Sequence, residues 1–487
     1  MRLLLLLDSV PVTSVAKSFL SARAHQLIST VPSLKPPVQK GCWMMYILLL
    51  SGGSGKRLWP LSNDLNSKQF LRILEDADGH KQSMMERVFQ QLEASGLADR
   101  TVITTTEAQL DAIEHQLGTK VSVIHEPSRR DTFPAIMLAT SYLAERIDPT
   151  ETIIVMPVDP YVDASFFQRF SALDAAVQAH PDALHLMGVE PLHPTSKYGY
   201  IIPESTSTMS PVQQFREKPS LETAVELIDQ GALWNCGVFA CRLDFLTERL
   251  NEQQVPVTYQ ALRTAYDSLE KTSFDYAVVE KTTHLFVHRY DGYWKDLGTW
   301  NTLTEEMPSS IHGNARLIHS TNTHIVNELQ VPVLGIGLTD LIVSVSPDGV
   351  LVSSKEETPH LKDYLVDQEL PPQFEWKRWG YATILHQQQL DDGRYAVTRR
   401  LHIQANHQIS HHYHAQTDST WSILQGQAEA IIDGKHQLLG PTSVVHIPRE
   451  VPHTLKTLSD LIMIEIKYSI DWTEEDNYPL PISLGSN

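Results

Sequence analysis

The chain has 487 residues, too many for one hydrophobic core, and this length predicts two to four domains. Apolar residues make up 42% and charged residues 20%, a balance typical of globular proteins. The net charge of −19 excludes a generally basic surface that wraps nucleic acid, although a local cationic cluster could still bind a phosphorylated small molecule.

The first 44 residues do not resemble a targeting or membrane segment. The apolar run Leu3 to Leu7 ends at Asp8, whereas a secretory signal needs roughly 7–15 apolar residues and a membrane span about 20. We therefore expect residues 1–44 to be disordered and outside the fold, with no membrane contact. Two explanations stay open: translation starts at Met44 or Met45, or the segment is a flexible leader.

Strands and helices alternate over residues 46–160. Apolar runs predict strands, helical spacing predicts helices, and Thr132 to Ile147 tolerates Pro134 in its first turn. This alternation is typical of an α/β domain with a mostly parallel sheet, in which ligands bind at the carboxyl ends of strands. The predicted elements are the strands Tyr46 to Leu50, Thr101 to Thr105 and Thr152 to Met156, and the helices Met84 to Leu97 and Thr132 to Ile147.

Short β-rich runs separated by turn residues follow this domain. We expect a first domain over residues 45–310, a small all-β connector over 311–370 and a second β domain over 371–487. The connector strands are predicted at Thr323 to Val326, Val331 to Ile336, Leu341 to Val345 and Gly349 to Val352. The three cysteines, Cys42, Cys236 and Cys241, show no metal-ligand spacing, which favours a reduced, cytoplasmic compartment.

A glycine loop follows the first predicted strand. Gly52, Gly53 and Gly55 would let backbone N–H groups approach a polyphosphate, and Lys56, Arg57 and Lys68 could add positive charge. The spacing is neither that of a Walker loop nor that of a dinucleotide-binding fingerprint. On its own, the loop could equally be a tight structural turn.

The residues around this loop resemble the signature of the sugar-nucleotide pyrophosphorylases. The Trp59-Pro60-Leu61 and Lys68-Gln69-Phe70-Leu71 details resemble the mannose-1-phosphate guanylyltransferase branch of that family. Further matches occur in order over roughly residues 46–470. They are Glu126-Pro127, Arg130 to Ile136, Pro157-Val158-Asp159, Tyr198 to Ile201, Phe215 to Pro219, Trp234 to Phe239, Phe274 to Ala277 and Trp294 to Trp300.

The resemblance implies a Rossmann-like nucleotidyltransferase fold and transfer of GMP from GTP to mannose-1-phosphate, which yields GDP-mannose for polysaccharide biosynthesis and releases pyrophosphate. Such an enzyme aligns two anions, neutralises their repulsion and stabilises the leaving pyrophosphate. By motif, Arg57 would bind the leaving phosphates, Lys68 would polarise the α-phosphate, and Asp159 and Asp296 would bind Mg²⁺.

The resemblance also implies the remaining contacts. The expected nucleotide-binding residues are Gly52, Gly53, Ser54, Gly55, Lys56, Glu126, Arg130 and Asp131. The expected sugar-phosphate-binding residues are Gly199, Glu217, Lys218 and Asn235. Asp131 stands where asparagine is usual in the family, and Pro160 stands where many relatives have histidine, so either position could shift substrate preference. A homodimer is one arrangement that the sequence leaves open.

The C-terminal residues resemble a cupin β-barrel, which this family often carries as a phosphomannose isomerase. His412, His414 and His453 could hold a divalent transition metal. Ser419, however, occupies the position of a ligand glutamate, and the arginine expected before Trp421 is missing. Three functions remain: a transferase with a degenerate isomerase domain, which we favour, a bifunctional transferase and isomerase, and a catalytically silent sugar-nucleotide sensor.

Overall fold

The computed structural model describes residues 45–53, 55–63, 65–76, 78–118, 121–365, 372–470 and 476–480. The predictions for residues 1–44 and for Ser54 lie outside this described part. Within it, the elements fall into an α/β region, a small β-rich connector and a C-terminal β region.

A nine-stranded sheet forms the centre of the α/β region. Its first four strands are parallel, as predicted for residues 46–160, and its other half mixes parallel and antiparallel pairs. In order across the sheet, the strands are Ser122–Glu126, Thr101–Thr106, Met45–Leu50, Thr152–Pro157, Leu233–Arg242, Leu184–Val189, Leu285–Tyr290, Met209–Arg216 and Tyr200–Pro203.

The strand Met45–Leu50 shows why an unbroken apolar run suits this position. Ile47 and Leu49 pack into the core on one face of the sheet, whereas Tyr46 and Leu48 pack into the core on the other. Because successive side chains of a strand point to opposite faces, a strand that is covered on both sides must be apolar throughout. The glycine loop is therefore attached to the most buried part of the domain.

Helices cover both faces of the sheet. The predicted helix from Met84 ends earlier than expected, at Ala94, because Gly96 adopts a φ of 71° and terminates it. The α-helices are Met84–Ala94, Leu110–Leu117, Thr132–Ala144, Ser165–Gln168, Phe170–Ala179, Leu221–Asp229, Leu243–Glu252, Tyr259–Thr264, Phe274–Ala277, Trp300–Glu306 and Leu361–Tyr364. Among the described residues, no helix combines the length and apolarity that crossing a bilayer requires.

Short 3₁₀ helices and strand pairs complete the α/β region. The 3₁₀ helices are Gly55–Leu58, Lys68–Phe70, Ala98–Arg100, Glu107–Gln109, Tyr266–Ser268 and Val279–Lys281, with Thr358–His360 after the connector. The strand pairs are Leu74–Glu75 with Lys81–Gln82, and Pro160–Val162 with Trp294–Asp296.

The first part of the connector consists of stacked β-strands, as the sequence predicts. The prediction of an all-β connector over residues 311–370 missed the 3₁₀ helix Thr358–His360 and the α-helix Leu361–Tyr364, which follow these strands. One sheet contains Ile311–His312, His324–Asn327, Leu341–Ser346 and Gly349–Ser354, and a parallel pair contains Ala315–Ile318 and Val333–Ile336. This region contacts the segment after the glycine loop. Ser346 donates a hydrogen bond to the carbonyl of Pro60 (2.7 Å), and a Cβ on Gly349 would lie 2.7 Å from the ring of Trp59.

The C-terminal β region has two facing sheets around its own core, as a cupin barrel requires. The first sheet contains, in order, Phe374–Lys377, Gly380–Gln389, Tyr395–Ile403, Leu461–Ser469, Thr417–Gln425 and Val444–Ile447. The second contains Lys435–Leu439, Ala428–Ile432, His453–Thr457, Gln408–Tyr413 and Tyr478–Pro479. Buried side chains such as Trp421 and Leu455 fill the space between the sheets.

Candidate active site

The glycine loop is held in place by three polar side chains. Gln69 Nε2 donates to the carbonyl of Ser51 (3.0 Å), and Ser67 Oγ donates to the carbonyl of Gly53 (3.0 Å). Gln109 Nε2 also donates to the carbonyl of Gly53 (3.2 Å). The loop is thereby fastened from behind, whereas a Cβ built on Gly53 would meet no atom of the described residues within 4 Å. That open side leaves room for a ligand against the backbone.

A cleft of about 260 Å³ lies beside this loop at the carboxyl ends of the strands. It brings together residues that were predicted to be catalytic or sugar-binding and that lie far apart in the sequence. Its lining includes Arg57, Lys68, Asp159, Gly199, Glu217, Asn235 and Asp296. Lys56 lies on the exposed surface of the turn Gly55–Leu58, next to Arg57.

Two short strands bring the predicted metal-binding carboxylates to the same place. Pro160–Val162 pairs with Trp294–Asp296 in antiparallel register, and Asp296 stands opposite Pro160. Since Asp159 directly precedes Pro160, both carboxylates reach the cleft. The proline that departs from the family pattern thus begins one of the strands that align the two acids.

Lys68 lies between these carboxylates. Its Nζ forms an ion pair with Oδ2 of Asp159 and lies 3.6 Å from Oδ1 of Asp296. Burial lowers the pKa of Lys68, but the two neighbouring carboxylates outweigh burial, so the net pKa is raised. The ammonium therefore stays charged, which suits a group that must polarise a phosphate oxygen.

Three of the four predicted sugar-binding residues line the same cleft, and the fourth, Lys218, pairs with one of them. A Cβ on Gly199 would lie 2.5 Å from Oε2 of Glu217, so only glycine fits beside this carboxylate. Lys218 Nζ pairs with Oε1 of Glu217 (2.9 Å), and the backbone N–H of Asn235 donates to the carbonyl of Gly199 (2.8 Å). This glycine, carboxylate, lysine and amide thus form one connected wall.

Asp275 belongs to this wall but was missed as a site residue. Its Oδ1 accepts a hydrogen bond from Asn235 Nδ2 (2.9 Å). Burial, and then the charge of Glu217, raise the pKa of Asp275 to about 7. Asp275 lies within the matched motif Phe274 to Ala277, and that motif was the available signal. The cleft lining also includes Lys197, Tyr198 and Trp294.

Glu126 lies against the back of the glycine loop. A Cβ on Gly52 would lie 2.9 Å from Oε1 of Glu126, while Tyr266 donates a hydrogen bond to Oε2 (2.6 Å). Burial raises the pKa of this carboxyl to about 7. Glu126 is therefore a buried hydrogen-bond acceptor beside the glycine loop, and its contact with a nucleotide stays a prediction.

Arg130 and Asp131, predicted beside the nucleotide, have structural contacts. Arg130 Nη2 donates to the carbonyl of Leu269 (2.8 Å), and its guanidinium pairs with Asp267 (3.4 Å). Asp131 has a φ of 70° and caps the helix Thr132–Ala144 by accepting from the N–H of Thr132 (2.8 Å). Arg130 thereby secures the chain segment that carries Tyr266. Direct contacts of both residues with a nucleotide stay a prediction.

Three histidines of the C-terminal region converge. The candidate ligand atoms of His412, His414 and His453 all lie within 4.8 Å of one another, and all three residues are buried. Each Nδ1 lies at hydrogen-bond distance from a backbone carbonyl, of Ser410, Asp476 and Val451 respectively. Because Nδ1 is engaged in each ring, Nε2 is the nitrogen that could bind a metal, as in proteins that orient imidazoles toward one. Nε2 of His414, however, also lies 3.3 Å from Nζ of Lys467.

Burial lowers the pKa values of these imidazoles. The pKa of His412 falls to about 3 and that of His414 to about 4, and that of His453 is also lowered. Neutral imidazoles are the form that binds a metal. Within the described part of the chain, Nε2 of His453 is buried without a hydrogen-bond partner, which is costly unless a ligand satisfies it.

Charged side chains around these histidines could not be inferred from the cupin motif. A cavity of about 450 Å³ is lined by His412 and His414 together with Arg399, Glu465 and Lys467. Glu465 accepts hydrogen bonds from Arg399 (2.9 Å) and Trp421 (3.1 Å), and these charged and polar partners lower its pKa despite burial. The cavity therefore contains cationic side chains even though the arginine expected before Trp421 is missing.

Comparison with known proteins identifies the families that the two regions match. Residues 46–311 match the nucleotidyl transferase family, and residues 399–467 match the cupin domain family. A mannose-1-phosphate guanylyltransferase of Escherichia coli (strain K12) is 28% identical over 89% of this chain and 97% of its own length. The xanthan biosynthesis protein XanB of Xanthomonas campestris pv. campestris (strain B100) is 28% identical over 88% and 96%.

One solved structure is similar in sequence and in fold. The crystal structure of a mannose-1-phosphate geranyltransferase from Thermus thermophilus is 26% identical, with a TM-score of 0.57. The similarity covers 66% of this chain and 98% of that protein. The predicted nucleotidyltransferase fold and the predicted cupin domain are thereby confirmed.

Proposed function

Because the chain belongs to the nucleotidyl transferase family, we propose that it transfers GMP from GTP to mannose-1-phosphate, giving GDP-mannose and pyrophosphate. The observation that carries this proposal is the placement of Lys68 between Asp159 and Asp296, beside an open glycine loop. The names of the two relatives above, one a mannose-1-phosphate guanylyltransferase and one a xanthan biosynthesis protein, support the substrates and a role in polysaccharide biosynthesis.

The transferring and leaving phosphates are assigned to the loop side of the cleft. Backbone N–H groups of Gly52 and Gly53 hold the triphosphate, and Arg57 binds the part that leaves as pyrophosphate. Lys68 contacts the α-phosphate and draws electron density from phosphorus as the sugar phosphate oxygen attacks. A fixed cation in a partly buried cleft contributes more here than it would in water.

Asp159 and Asp296 fit a magnesium site. Mg²⁺ prefers oxygen ligands and usually takes one or two protein carboxylates, with water and substrate phosphates as its other ligands. Two carboxylates on paired strands that approach the same ammonium provide such a set. When bound there, Mg²⁺ would neutralise charge on the phosphates.

The acceptor is assigned to the wall opposite the loop. Lys218 neutralises the phosphate of mannose-1-phosphate, and Glu217, Asn235 and the backbone of Gly199 contact sugar hydroxyls. Asp275 fixes the amide of Asn235, since it accepts the hydrogen bond from Nδ2 (2.9 Å). Two anionic substrates are thus aligned from opposite sides, with cations between them.

Guanine is assigned to the pocket of Glu126. The base carries N–H donors at N1 and N2 on one edge, and an ionised carboxylate can accept from them. Uracil, cytosine and adenine do not present this pair of donors, so the same carboxylate would discriminate against the other three nucleotides. Leaving the carboxylate of Glu126 unpaired beside a wrong base would cost binding energy.

The experiment is direct product analysis. Purified full-length protein is incubated with GTP, mannose-1-phosphate and Mg²⁺, and the sugar nucleotide is identified by chromatography and mass. GDP-mannose should form with wild-type protein and fall below detection with Lys68→Met. Absence of any sugar nucleotide with active, folded protein would favour the catalytically silent sensor instead.

For the C-terminal region we propose a divalent transition-metal site at His412, His414 and His453 without isomerase activity. The orphaned Nε2 of His453 and the carbonyl-bound Nδ1 atoms support metal binding. Ser419 cannot supply the carboxylate of the isomerase motif. Calorimetric titration with Zn²⁺ should show one site per chain that His412→Ala abolishes, whereas no heat of binding in the wild type would refute the site.

The remaining assignments follow from these substrates. GTP and mannose-1-phosphate are small cytoplasmic metabolites, and the two cysteines in the described part of the chain, Cys236 and Cys241, are unpaired thiols. We therefore propose a cytoplasmic enzyme whose partners are these two substrates, without nucleic acid or membrane.

A further inference from the structure

One short helix connects the C-terminal β region with the glycine loop. The helix Leu110–Leu117 directly follows Gln109, whose buried side chain donates to the carbonyl of Gly53 (3.2 Å) and to Ser67 Oγ (2.5 Å). Gln109 Oε1 accepts from Thr105 Oγ1 (2.9 Å), which orients the amide so that Nε2 faces the loop. The start of this helix is therefore fastened to the loop itself.

The other end of the same helix holds the turn that carries Lys68. Gln116 Nε2 donates to the carbonyl of Phe70 (2.8 Å), the last residue of the 3₁₀ helix Lys68–Phe70. Gln116 Oε1 accepts from Ser83 Oγ (2.7 Å), so this amide is fixed in the same way. Both elements that face the triphosphate thus depend on the position of one helix of 8 residues.

The outer side of this helix contacts the C-terminal β region. The ring of His115 stacks on Trp376, with centroids 4.3 Å apart and planes 28° apart. The guanidinium of Arg378 lies 3.3 Å from Oδ1 of Asp111, and the guanidinium of Arg72 lies 5.9 Å from the Trp376 ring. Trp376 therefore contacts both the helix and the segment that follows the Lys68 turn.

We propose that the C-terminal β region serves the transferase as a positioning element, because Trp376 and Arg378 hold the helix Leu110–Leu117, and through Gln109 the glycine loop, in the geometry that binds the nucleotide triphosphate. Gln109, Trp376 and Arg378 are then positioning residues, not catalytic ones. This inference rests on the proposed nucleotidyl transfer and assigns a role to the cupin-like domain that needs neither metal nor isomerase activity.

The contacts are large enough to matter for binding. A stacked aromatic pair contributes about 0.5–1.5 kcal/mol beyond the area it buries. A net hydrogen bond contributes a similar amount, about 0.5–1.5 kcal/mol, so losing either contact shifts an equilibrium by roughly threefold to tenfold. A loop whose bound geometry is populated less often binds its ligand more weakly by the same factor.

The test uses full-length Gln109→Ala, Trp376→Ala and Arg378→Ala, with Arg394→Ala as the matched control. Arg394 pairs with Asp392 in the exposed turn that follows the strand Gly380–Gln389. Trp376 pairs with Tyr381 at the other end of that strand, so Arg394 reports a surface arginine at the end away from Trp376. We expect the KM for GTP to rise roughly tenfold in Gln109→Ala and threefold to tenfold in Trp376→Ala. The KM for mannose-1-phosphate should stay unchanged.

A double variant separates positioning from general destabilisation. If Trp376 acts through Gln109, then Gln109→Ala combined with Trp376→Ala should raise the KM for GTP little more than Gln109→Ala alone. The proposal would be overturned if the two single-variant increases in the KM for GTP multiply in the double variant. It would also be overturned if the KM for GTP and the KM for mannose-1-phosphate rise equally. The proposal would also be overturned if the KM for GTP in Trp376→Ala equals that of the Arg394→Ala control.

Hydrogen exchange provides a readout that does not depend on activity. Amides of the peptide that contains Gly52 and Gly53 should exchange faster in Trp376→Ala than in the wild type, and at the wild-type rate in Arg394→Ala. Unchanged exchange would contradict the positioning role even if turnover is normal. A wild-type protein without turnover would refute the proposed reaction and leave the exchange comparison valid.

Discussion

The ammonium of Lys68 lies 3.6 Å from Oδ1 of Asp296, although 227 positions separate the two residues in the sequence. The distance links the segment after the glycine loop to the strand Trp294–Asp296 on the far side of the cleft. Asp159, which pairs with the same ammonium, completes a cluster of one cation and two anions. This cluster is the basis for the proposed binding of a phosphate group and Mg²⁺ in the cleft.

Asp159→Asn and Asp296→Asn should each reduce kcat for GDP-mannose formation by about 100-fold or more, the effect typical of removing one electrostatic contact to a transition state. Each change keeps the shape of the side chain but removes a charge that is proposed to hold Mg²⁺. The measurement is initial rate at saturating Mg²⁺, with circular dichroism to verify the fold. Near-normal turnover in either variant would show that its carboxylate is not an essential ligand.

Glu126→Gln should raise the KM for GTP at pH 8 by roughly tenfold or more, since one charge-assisted hydrogen bond is lost. Its raised pKa of about 7 adds a pH dependence. The carboxyl is ionised above pH 7 and protonated below it, so kcat/KM for GTP should fall as pH decreases from 8 to 6. The Glu126→Gln variant should lack this decrease, and an identical pH profile in both proteins would contradict the guanine assignment.

Gly199→Ala should weaken binding of the sugar phosphate. The new Cβ would lie 2.5 Å from Oε2 of Glu217 and 2.9 Å from the ring of Phe215, so the carboxylate must move. We expect the KM for mannose-1-phosphate to rise by roughly tenfold, as for a lost hydrogen bond, with little change for GTP. Gly440→Ala is the control, because a Cβ there meets nothing within 4 Å.

Two buried histidines should make stability depend on pH. Nδ1 of His185 lies 3.0 Å from Nε2 of His288, and His180 is the nearest other imidazole. Burial lowers the pKa of His185 to about 3 and that of His288 to about 4. Both are neutral in the folded protein, whereas in the unfolded chain they bind protons below about pH 6.5. Their stabilising contribution is thus complete above that pH and decreases as pH falls.

Chemical denaturation at several pH values measures this dependence. Replacing both histidines by phenylalanine should reduce the slope of unfolding free energy between pH 4.5 and 6 by about 1.4 kcal/mol per pH unit for each lost proton. At pH 8 the difference in unfolding free energy between the wild type and the double phenylalanine variant reports packing alone, and this difference serves as the reference. Equal slopes would show that these imidazoles do not remain neutral in the fold.

The purified protein should not interconvert mannose-6-phosphate and fructose-6-phosphate at a useful rate, even with Zn²⁺, Co²⁺ or Mn²⁺. Ser419 replaces the carboxylate of the isomerase motif, and Glu465 is already bound to Arg399 and Trp421. A loss of about 3–4 kcal/mol of transition-state stabilisation lowers a rate by two to three powers of ten. Robust isomerisation that His412→Ala abolishes would restore the bifunctional alternative.

Local sequence patterns predicted the α/β fold well. The strand Met45–Leu50 and the helix starting at Thr132 could be predicted because burial on both faces, apolar periodicity and turn residues are local signals. The helix from Thr132 is shorter than predicted, however. N–H groups of Arg146 and Ile147 both bond to the carbonyl of Leu143 and close the helix before the turn at Pro149.

The site was predicted less completely, because its contacts join distant segments. The roles of Lys68, Asp159 and Asp296 were predicted from the resemblance to a family. Their spacing in the sequence alone would not have predicted that they lie together. Gln109 carries no motif, and its role depends on contacts with Gly53 and Ser67 that only the fold creates. Glu465 likewise enters the cupin cavity from a strand that lies outside the histidine motif.

The most direct test of the central claim is a coupled pyrophosphate-release assay. It measures kcat/KM for each of the four nucleoside triphosphates with mannose-1-phosphate, glucose-1-phosphate and galactose-1-phosphate. GTP with mannose-1-phosphate should give the highest kcat/KM. The kcat/KM values of the other three nucleotides should be at least tenfold lower, because Glu126 would face an edge of the base that lacks the two N–H donors of guanine. A higher value for any other pair, or no pyrophosphate release with any pair, would contradict the assignment.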